Sequence, residues 1–127
     1  MLSVTSKHAL KALLRLSSVE DDSYLTISEL AVDAEVPPPY LAKVIKALSA
    51  AGLVETKKGA QGGVRLPRRA ISFFDVCKVL DDPIVNQTCL LSRNACSSRH
   101  PCSMHASWQR ERERIIRYLK KSKVTPQ

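Results

Sequence analysis

The chain of 127 residues is long enough for one compact domain with an additional element, and its hydrophobic content of 44% excludes a disordered protein. No run reaches the roughly 20 apolar residues that span a bilayer, and the start MLSVTSKHAL lacks a signal peptide's apolar core, which predicts a cytoplasmic protein without a membrane partner. The net charge of +8 instead indicates a polyanionic partner, most simply nucleic acid, although a basic solvated surface would give the same total.

The first half of the chain predicts short helices. SKHALKALLRLSSV has apolar residues at helical spacing, with lysines between them. The apolar stripe comprises Ala9, Leu10, Leu13, Leu14 and Leu16. In the following LTISELAVDAEV, Thr26 and Glu29 have the spacing of a capping box. We therefore expect a second helix to begin at Ile27 and to end before Pro37.

A third helix is predicted in VPPPYLAKVIKALSAAGLV. Its prolines suit a first turn, whose N–H groups have no intrahelical partner, and Gly52 suits the left-handed position after the helix. Leu41, Val44, Ile45 and Leu48 recur at helical spacing. Two short helices joined by a tight turn form a helix-turn-helix, which would present Lys43 and Lys46 on its second helix.

The next segment predicts a β wing. LVETKK and GVRL are typical of two short strands, and the intervening KGAQGG supplies the glycines that a tight hairpin requires. Any small α+β hairpin fits the same pattern, but the element order and the charge favour a winged helix. Seven basic residues and one acid lie between residues 38 and 69. The predicted DNA contacts are Tyr40, Lys43 and Lys46 on the recognition helix, and Lys57, Lys58, Gln61 and Arg65 on the wing.

The last third of the chain predicts two more helices. Ser72 and Asp75 would cap a short one, FFDVCKVL, in which Cys77 is expected to be a buried structural cysteine. The other is long, MHASWQRERERIIRYLKKSK, and carries a narrow apolar line of Trp108, Ile115, Ile116 and Leu119. So thin a line favours packing against a second subunit, hence a homodimer reading a near-palindromic double-stranded operator. Packing onto its own domain is the alternative.

The fold class predicted is therefore mainly α with a small β wing. We expect a winged helix-turn-helix DNA-binding domain over residues 1–81 and a cysteine-rich loop over residues 82–105. A dimerisation helix and tail would follow over residues 106–127.

That loop, CLLSRNACSSRHPCSMH, gathers Cys89, Cys96 and Cys102 with His105. Structural disulfides are uncommon in the cytosol, where clustered cysteines more often bind metal or sense redox state. Thiolates suit iron–sulfur clusters, and three cysteines with one histidine also form a structural zinc set. Gaps of six and five residues are unusual for zinc, but spacing alone does not decide between the two metals. A metal-free thiol switch is a third alternative.

The order of ALKALLRLS, YLAKVIKALSAAGLV, the KGAQGG wing and the three cysteines resembles the Rrf2 family of bacterial transcription regulators. The resemblance implies a DNA-binding regulator and not an enzyme. In iron–sulfur regulators of this family, three loop cysteines and a histidine three positions after the last one ligate a 2Fe–2S cluster. By that resemblance the ligands here are Cys89, Cys96, Cys102 and His105, and the state of the cluster controls operator affinity. The signal would be iron–sulfur status, redox state or nitric oxide.

Three positions depart from that pattern. A nitric-oxide-sensing branch binds a 4Fe–4S cluster, and in some members an acidic residue near the N-terminus completes the site. Lys7 stands at that position here, which favours 2Fe–2S with His105 and leaves His8 as a reserve ligand. The first gap between cysteines is one residue longer than the family implies. Ala42 replaces an acidic residue of the recognition helix, so the operator sequence cannot be transferred.

Overall fold

In a computed structural model of the protein we describe residues 2–86 and 103–126. The helices are α1 (Val4–Ser17), α2 (Ile27–Ala34), α3 (Pro38–Ala50), α4 (Phe73–Val79) and α5 (His105–Lys121), with a 3-10 helix at Pro83–Val85. The strands are β1 (Glu55–Lys57), β2 (Gly63–Arg65), β3 (Ile71–Ser72) and β4 (Lys123–Val124). The mainly helical fold with a β wing is as predicted. No helix in the described ranges is long and apolar enough to cross a membrane.

The helix boundaries follow from the caps that the sequence contains. Thr26 and Glu29 form the predicted capping box at the start of α2. Ser72 and Asp75 form a second capping box at the start of α4. Glu35 then adopts a left-handed conformation with φ of 58°, which ends α2 and turns the chain into α3. These caps fix the two helices of the helix-turn-helix at their predicted positions.

The main core lies between α1, α2 and α3. Leu13, Leu30, Leu41 and Leu48 are fully buried there. The predicted stripe on α1 is wrong at one position, because Leu14 is 48% exposed while Ala12 is completely buried. Ala12 lies beside Ala9 and Leu16 around the helical period, whereas Leu14 lies on the flank of the stripe.

The wing is an antiparallel pair in which Glu55 opposes Arg65. Two glycines are required by close backbone approach: a Cβ on Gly62 would lie 2.0 Å from the carbonyl oxygen of Lys57, and a Cβ on Gly63 would lie 2.3 Å from that of Leu25. Leu25 also exchanges two backbone hydrogen bonds with Val64, at 2.9 and 2.7 Å. This bridge, which the sequence did not predict, ties the wing to the segment before α2.

The C-terminal helix packs back onto its own chain. Leu119 is buried with Cys77 and Ile84, and Trp108, Ile115 and Ile116 are partly buried against the same cluster. After α5, β4 pairs antiparallel with β3. The apolar line of α5 is therefore covered at least in part by its own domain, the alternative that the sequence left open.

Candidate nucleic-acid interface and metal-ligating segment

Helix α3 separates an apolar face from a basic one. Leu41, Val44, Ile45 and Leu48 bury one side against α1 and α2. Lys43 and Lys46 are exposed on the other side, three residues apart. Residues at this spacing lie on one helical face, so both ammonium groups face solvent together.

Tyr40, the third predicted contact on α3, points towards α1. Its hydroxyl donates a hydrogen bond to Thr5 Oγ1 at 3.1 Å and lies 3.3 Å from His8 Nδ1. The two rings of Tyr40 and His8 meet edge to face with their centroids 5.6 Å apart. Tyr40 and His8 therefore join the start of α3 to α1.

A groove of about 480 Å³ separates α3 from the wing. Its floor includes Ile27, Ile45 and Val64, and Lys46 lies on its helical side. The exposed Lys57 and Lys58 lie on its wing side. A second groove of similar size runs beside the hairpin turn and is lined by Lys57, Gln61 and Tyr24 together with acidic residues. Three predicted DNA contacts from two separate elements thus share one groove.

Arginines and lysines differ in this half of the molecule. Arg15 pairs with Asp33 at 2.9 Å, and Arg68 pairs with Asp22. By contrast, the four lysines of α3 and the wing form no ion pair with any carboxylate in the described ranges; they are Lys43, Lys46, Lys57 and Lys58. Their charge is therefore available to an external anion.

Arg65 belongs with the paired arginines. Its Nε donates to Glu55 Oε2 at 2.7 Å across the β1–β2 pair, and its Nη1 donates to the backbone oxygen of Asp22 at 3.3 Å. The guanidinium also lies over the ring of Tyr24, 4.7 Å from its centroid. The structure thus engages Arg65 within the base of the wing, although the sequence predicts a DNA contact.

Of the predicted cluster ligands, Cys89, Cys96 and Cys102 lie outside the described residues. His105 is half-buried as the first residue of α5. No group of three or more histidine, cysteine, aspartate or glutamate side chains within residues 2–86 and 103–126 could hold a metal ion. A centre that includes His105 therefore needs ligands from the cysteine segment.

Cys77 is fully buried on α4, as predicted for a structural cysteine. Burial raises the pKa of its thiol and so does the negative charge of Asp82, while a hydrogen bond with Ser6 opposes the shift. A thiol with a raised pKa is protonated at neutral pH and therefore a poor metal ligand.

Asp82 forms a buried polar contact that the sequence analysis missed. Its carboxylate accepts hydrogen bonds from the amides of Ser3 at 2.8 Å and Ile84 at 3.0 Å. Burial alone would raise the pKa of Asp82, but the amides of Ile84 and Ser3 outweigh it and lower the pKa below its ordinary value. An Asp-Pro pair at a helix start is the one sequence signal of this cap. The contact joins the N-terminus to the turn that leads into the cysteine segment.

Helix α5 also offers an observation on whether a thiolate-ligated centre fits. Gln109 Nε2 and Arg112 Nε are buried without a hydrogen-bond partner, and both lie on the helical face that contains His105. Both atoms are N–H donors. They suit an anionic group, such as a metal bound by several thiolates.

Comparison with known proteins agrees with this geometry. The family model of Rrf2, an iron-dependent transcriptional regulator, matches residues 2–125. An HTH-type transcriptional regulator assigned in Aquifex aeolicus is 32% identical over 124 residues, covering 94% of this chain and 85% of that protein.

Two solved structures share the fold at 22% identity. T. potens IscR superposes with a TM-score of 0.72, covering 98% of this chain and 82% of that one. CymR, the global cysteine regulator of B. subtilis, superposes with a TM-score of 0.77, covering 98% and 92%.

Proposed function

The chain belongs to the Rrf2 family of transcriptional regulators, and from that premise we propose that it binds double-stranded DNA under the control of an iron–sulfur cluster. The observation that carries the DNA-binding part is the groove between α3 and the wing, which brings together the unpaired Lys46, Lys57 and Lys58. Cations at the two sides of one groove can contact neighbouring phosphates while α3 lies in the major groove. Lys43 and Gln61 extend this surface along α3 and the wing.

Tyr40 and Arg65 have supporting roles in this proposal. Tyr40 fixes the start of α3 against α1, and Arg65 fixes the wing against Glu55 and Tyr24. Each therefore sets the position of neighbouring lysines instead of supplying a free donor to DNA.

The proposed ligands of the cluster are Cys89, Cys96, Cys102 and His105. When bound, the cluster would supply a redox-active, anionic centre, and a histidine ligand in place of a thiolate raises its reduction potential. A 2Fe–2S cluster is favoured, because Lys7 replaces the acidic residue near the N-terminus that the 4Fe–4S branch uses. The similarity to IscR supports a family fold that accommodates such a protein and does not by itself identify the cluster.

Coupling between the two sites follows from connectivity. The cysteine segment lies between the 3-10 helix at Pro83–Val85 and α5. One end is held by Asp82 against Ser3 of the winged-helix half, and the other by packing of α5 on α4. In the proposed homodimer, a change at the ligands would alter the placement of α5 and hence the spacing of the two recognition helices on a near-palindromic operator.

The test is anaerobic purification followed by visible absorption, iron and acid-labile sulfide analysis. We expect charge-transfer bands with equal iron and sulfide, and two irons per chain for 2Fe–2S. Cys96→Ala should lose most of the iron, whereas the matched control Cys77→Ala should retain it because Cys77 is buried away from solvent. Holo and apo protein should then differ in affinity for a selected operator duplex. Equal affinities would contradict the proposed control.

A second candidate function is a thiol switch in a regulator of the same fold, and the likeness to the cysteine regulator CymR favours it over the remaining alternatives. A protein that stays colourless after reconstitution and forms a disulfide between two loop cysteines on oxidation would support it. Stoichiometric zinc without colour would instead identify a zinc-stabilised regulator.

A further inference from the structure

Helix α5 contains two buried hydrogen-bond donors without partners. The side-chain Nε2 of Gln109 and Nε of Arg112 are both inaccessible to solvent and unpaired. Arg112 is only 9% exposed, which is rare for an arginine. Buried polar groups in native structures are normally hydrogen-bonded, so each orphan donor indicates a partner outside the described residues.

No acid in the described ranges compensates Arg112. Glu111 and Glu113 are exposed, and Glu111 pairs with Arg114 at 3.6 Å. None of the ion pairs in residues 2–86 and 103–126 includes Arg112. A buried guanidinium without an anion is strongly unfavourable, because burial removes its hydration and nothing replaces it.

The two donors share a helical face with His105. Gln109 lies four residues after His105 and Arg112 seven residues after it, a spacing that aligns all three. Side chains in a helix lean towards its N-terminus, so both donors point in the direction of His105. The separation of the first and last Cα atoms along the axis is roughly 10 Å, within the combined reach of the two side chains.

The start of α5 adds positive character at the same end. Met104 provides no side-chain cap, and the first turn carries no acidic residue. The N-terminal amides of a helix carry a partial positive charge that favours an anion. Three features of α5 therefore point to one negative group near His105: the uncapped first turn, Gln109 and Arg112.

We propose that Gln109 and Arg112 donate N–H hydrogen bonds to the sulfur atoms of an anionic, thiolate-ligated metal centre that His105 helps to bind. This inference rests on the proposed function. Donors and a positive charge next to such a centre favour its more negative, reduced state, so they raise its reduction potential. Gln109 and Arg112 are positioning and tuning residues and are not themselves ligands.

The test compares reduction potentials of the cluster in Arg112→Met and Gln109→Leu with the wild type. Arg112→Met should make reduction about tenfold less favourable, a decrease of about 59 mV for a one-electron couple. Gln109→Leu should shift it in the same direction by less. Arg112→Lys, which keeps the charge, should recover part of the shift, an effect that loss of packing alone would not produce.

Arg110→Met is the matched control, because Arg110 is an exposed arginine on the same helix away from His105. It should leave the potential unchanged. Far-ultraviolet circular dichroism checks that each variant folds; Arg112→Met removes a desolvated charge and should be tolerated. If Arg112→Met nevertheless fails to fold, Gln109→Leu and Arg112→Lys decide by the same potentials.

The outcomes separate this inference from the proposed function. A wild-type protein that holds a cluster whose potential is equal in the Gln109 and Arg112 variants overturns the inference alone. A wild-type protein that holds only zinc overturns the iron–sulfur proposal; weaker zinc binding by Arg112→Met than by Arg110→Met then supports the inference, and equal binding overturns it. A protein that binds neither metal overturns both.

Discussion

The winged helix and the C-terminal helix place their positive charges in opposite environments. On α3 and the wing, Lys46 and Lys57 are exposed, unpaired and directed to a shared groove. On α5, Arg112 is buried and unpaired. An exposed lysine remains hydrated until a phosphate arrives, so its lack of a partner costs little. Arg112 has no such hydration, so its lack of a partner requires a resident anion.

Asp82 sharpens this comparison, because it is a buried charge that does have partners. Asp82→Ala should lower the free energy of unfolding by about 3 kcal/mol, since the amides of Ser3 and Ile84 lose a charged acceptor. Urea unfolding of the apo protein at pH 7 measures this loss. The control Asp33→Ala removes only an exposed ion pair with Arg15 and should cost less than about 1 kcal/mol. Equal losses for the two variants would contradict a special role for Asp82.

The pH dependence of the same pair gives a second measurement. Because the pKa of Asp82 is lowered in the folded state, its stabilisation is fully present above its ordinary value of 3.8. The stabilisation is lost as the pH falls through the lowered folded-state pKa. The difference in unfolding free energy between wild type and Asp82→Ala should therefore be constant from pH 7 to about pH 5 and shrink at lower pH.

The fold could be predicted from sequence wherever local chemistry decides it. Thr26 with Glu29 and Ser72 with Asp75 form the predicted capping boxes, and the glycines of KGAQGG form the predicted hairpin. The two-residue strands β3 and β4 were missed, because their pairing joins residues more than 50 positions apart and neither strand is long enough to show alternation. Long-range pairing of this kind leaves no local signal.

The candidate site was predicted less evenly. Exposure of Lys43, Lys46, Lys57 and Lys58 followed from helical spacing and from the hairpin. The engagement of Arg65 with Tyr24 and Glu55 did not, since Tyr24 is remote in sequence and arginine is as basic in a list as lysine. The burial of Arg112 was hidden in the charged run QRERER, whose average polarity indicates a solvated helix.

The unpaired lysines can be tested by the salt dependence of DNA binding. Lys46→Ala and Lys57→Ala should each weaken binding to a duplex and reduce the slope of log affinity against log salt by about 0.9, because each removes one phosphate contact. Lys11→Ala is the control, since Lys11 is equally exposed but lies on α1. Fluorescence anisotropy from 50 to 200 mM salt measures the slopes. A slope that falls as much in Lys11→Ala would show that total charge, and not the groove, governs binding.

Arg65 gives the smallest expected effect and separates the two kinds of cation within the wing itself. Arg65→Leu should lower the free energy of unfolding by about 0.5 kcal/mol, since its ion pair with Glu55 is partly exposed. It should leave the salt slope of DNA binding near the wild-type value, because its guanidinium is already occupied by Glu55, Asp22 and Tyr24. A slope reduced by about 0.9, as expected for Lys57→Ala, would instead place Arg65 on a phosphate, in agreement with the sequence prediction.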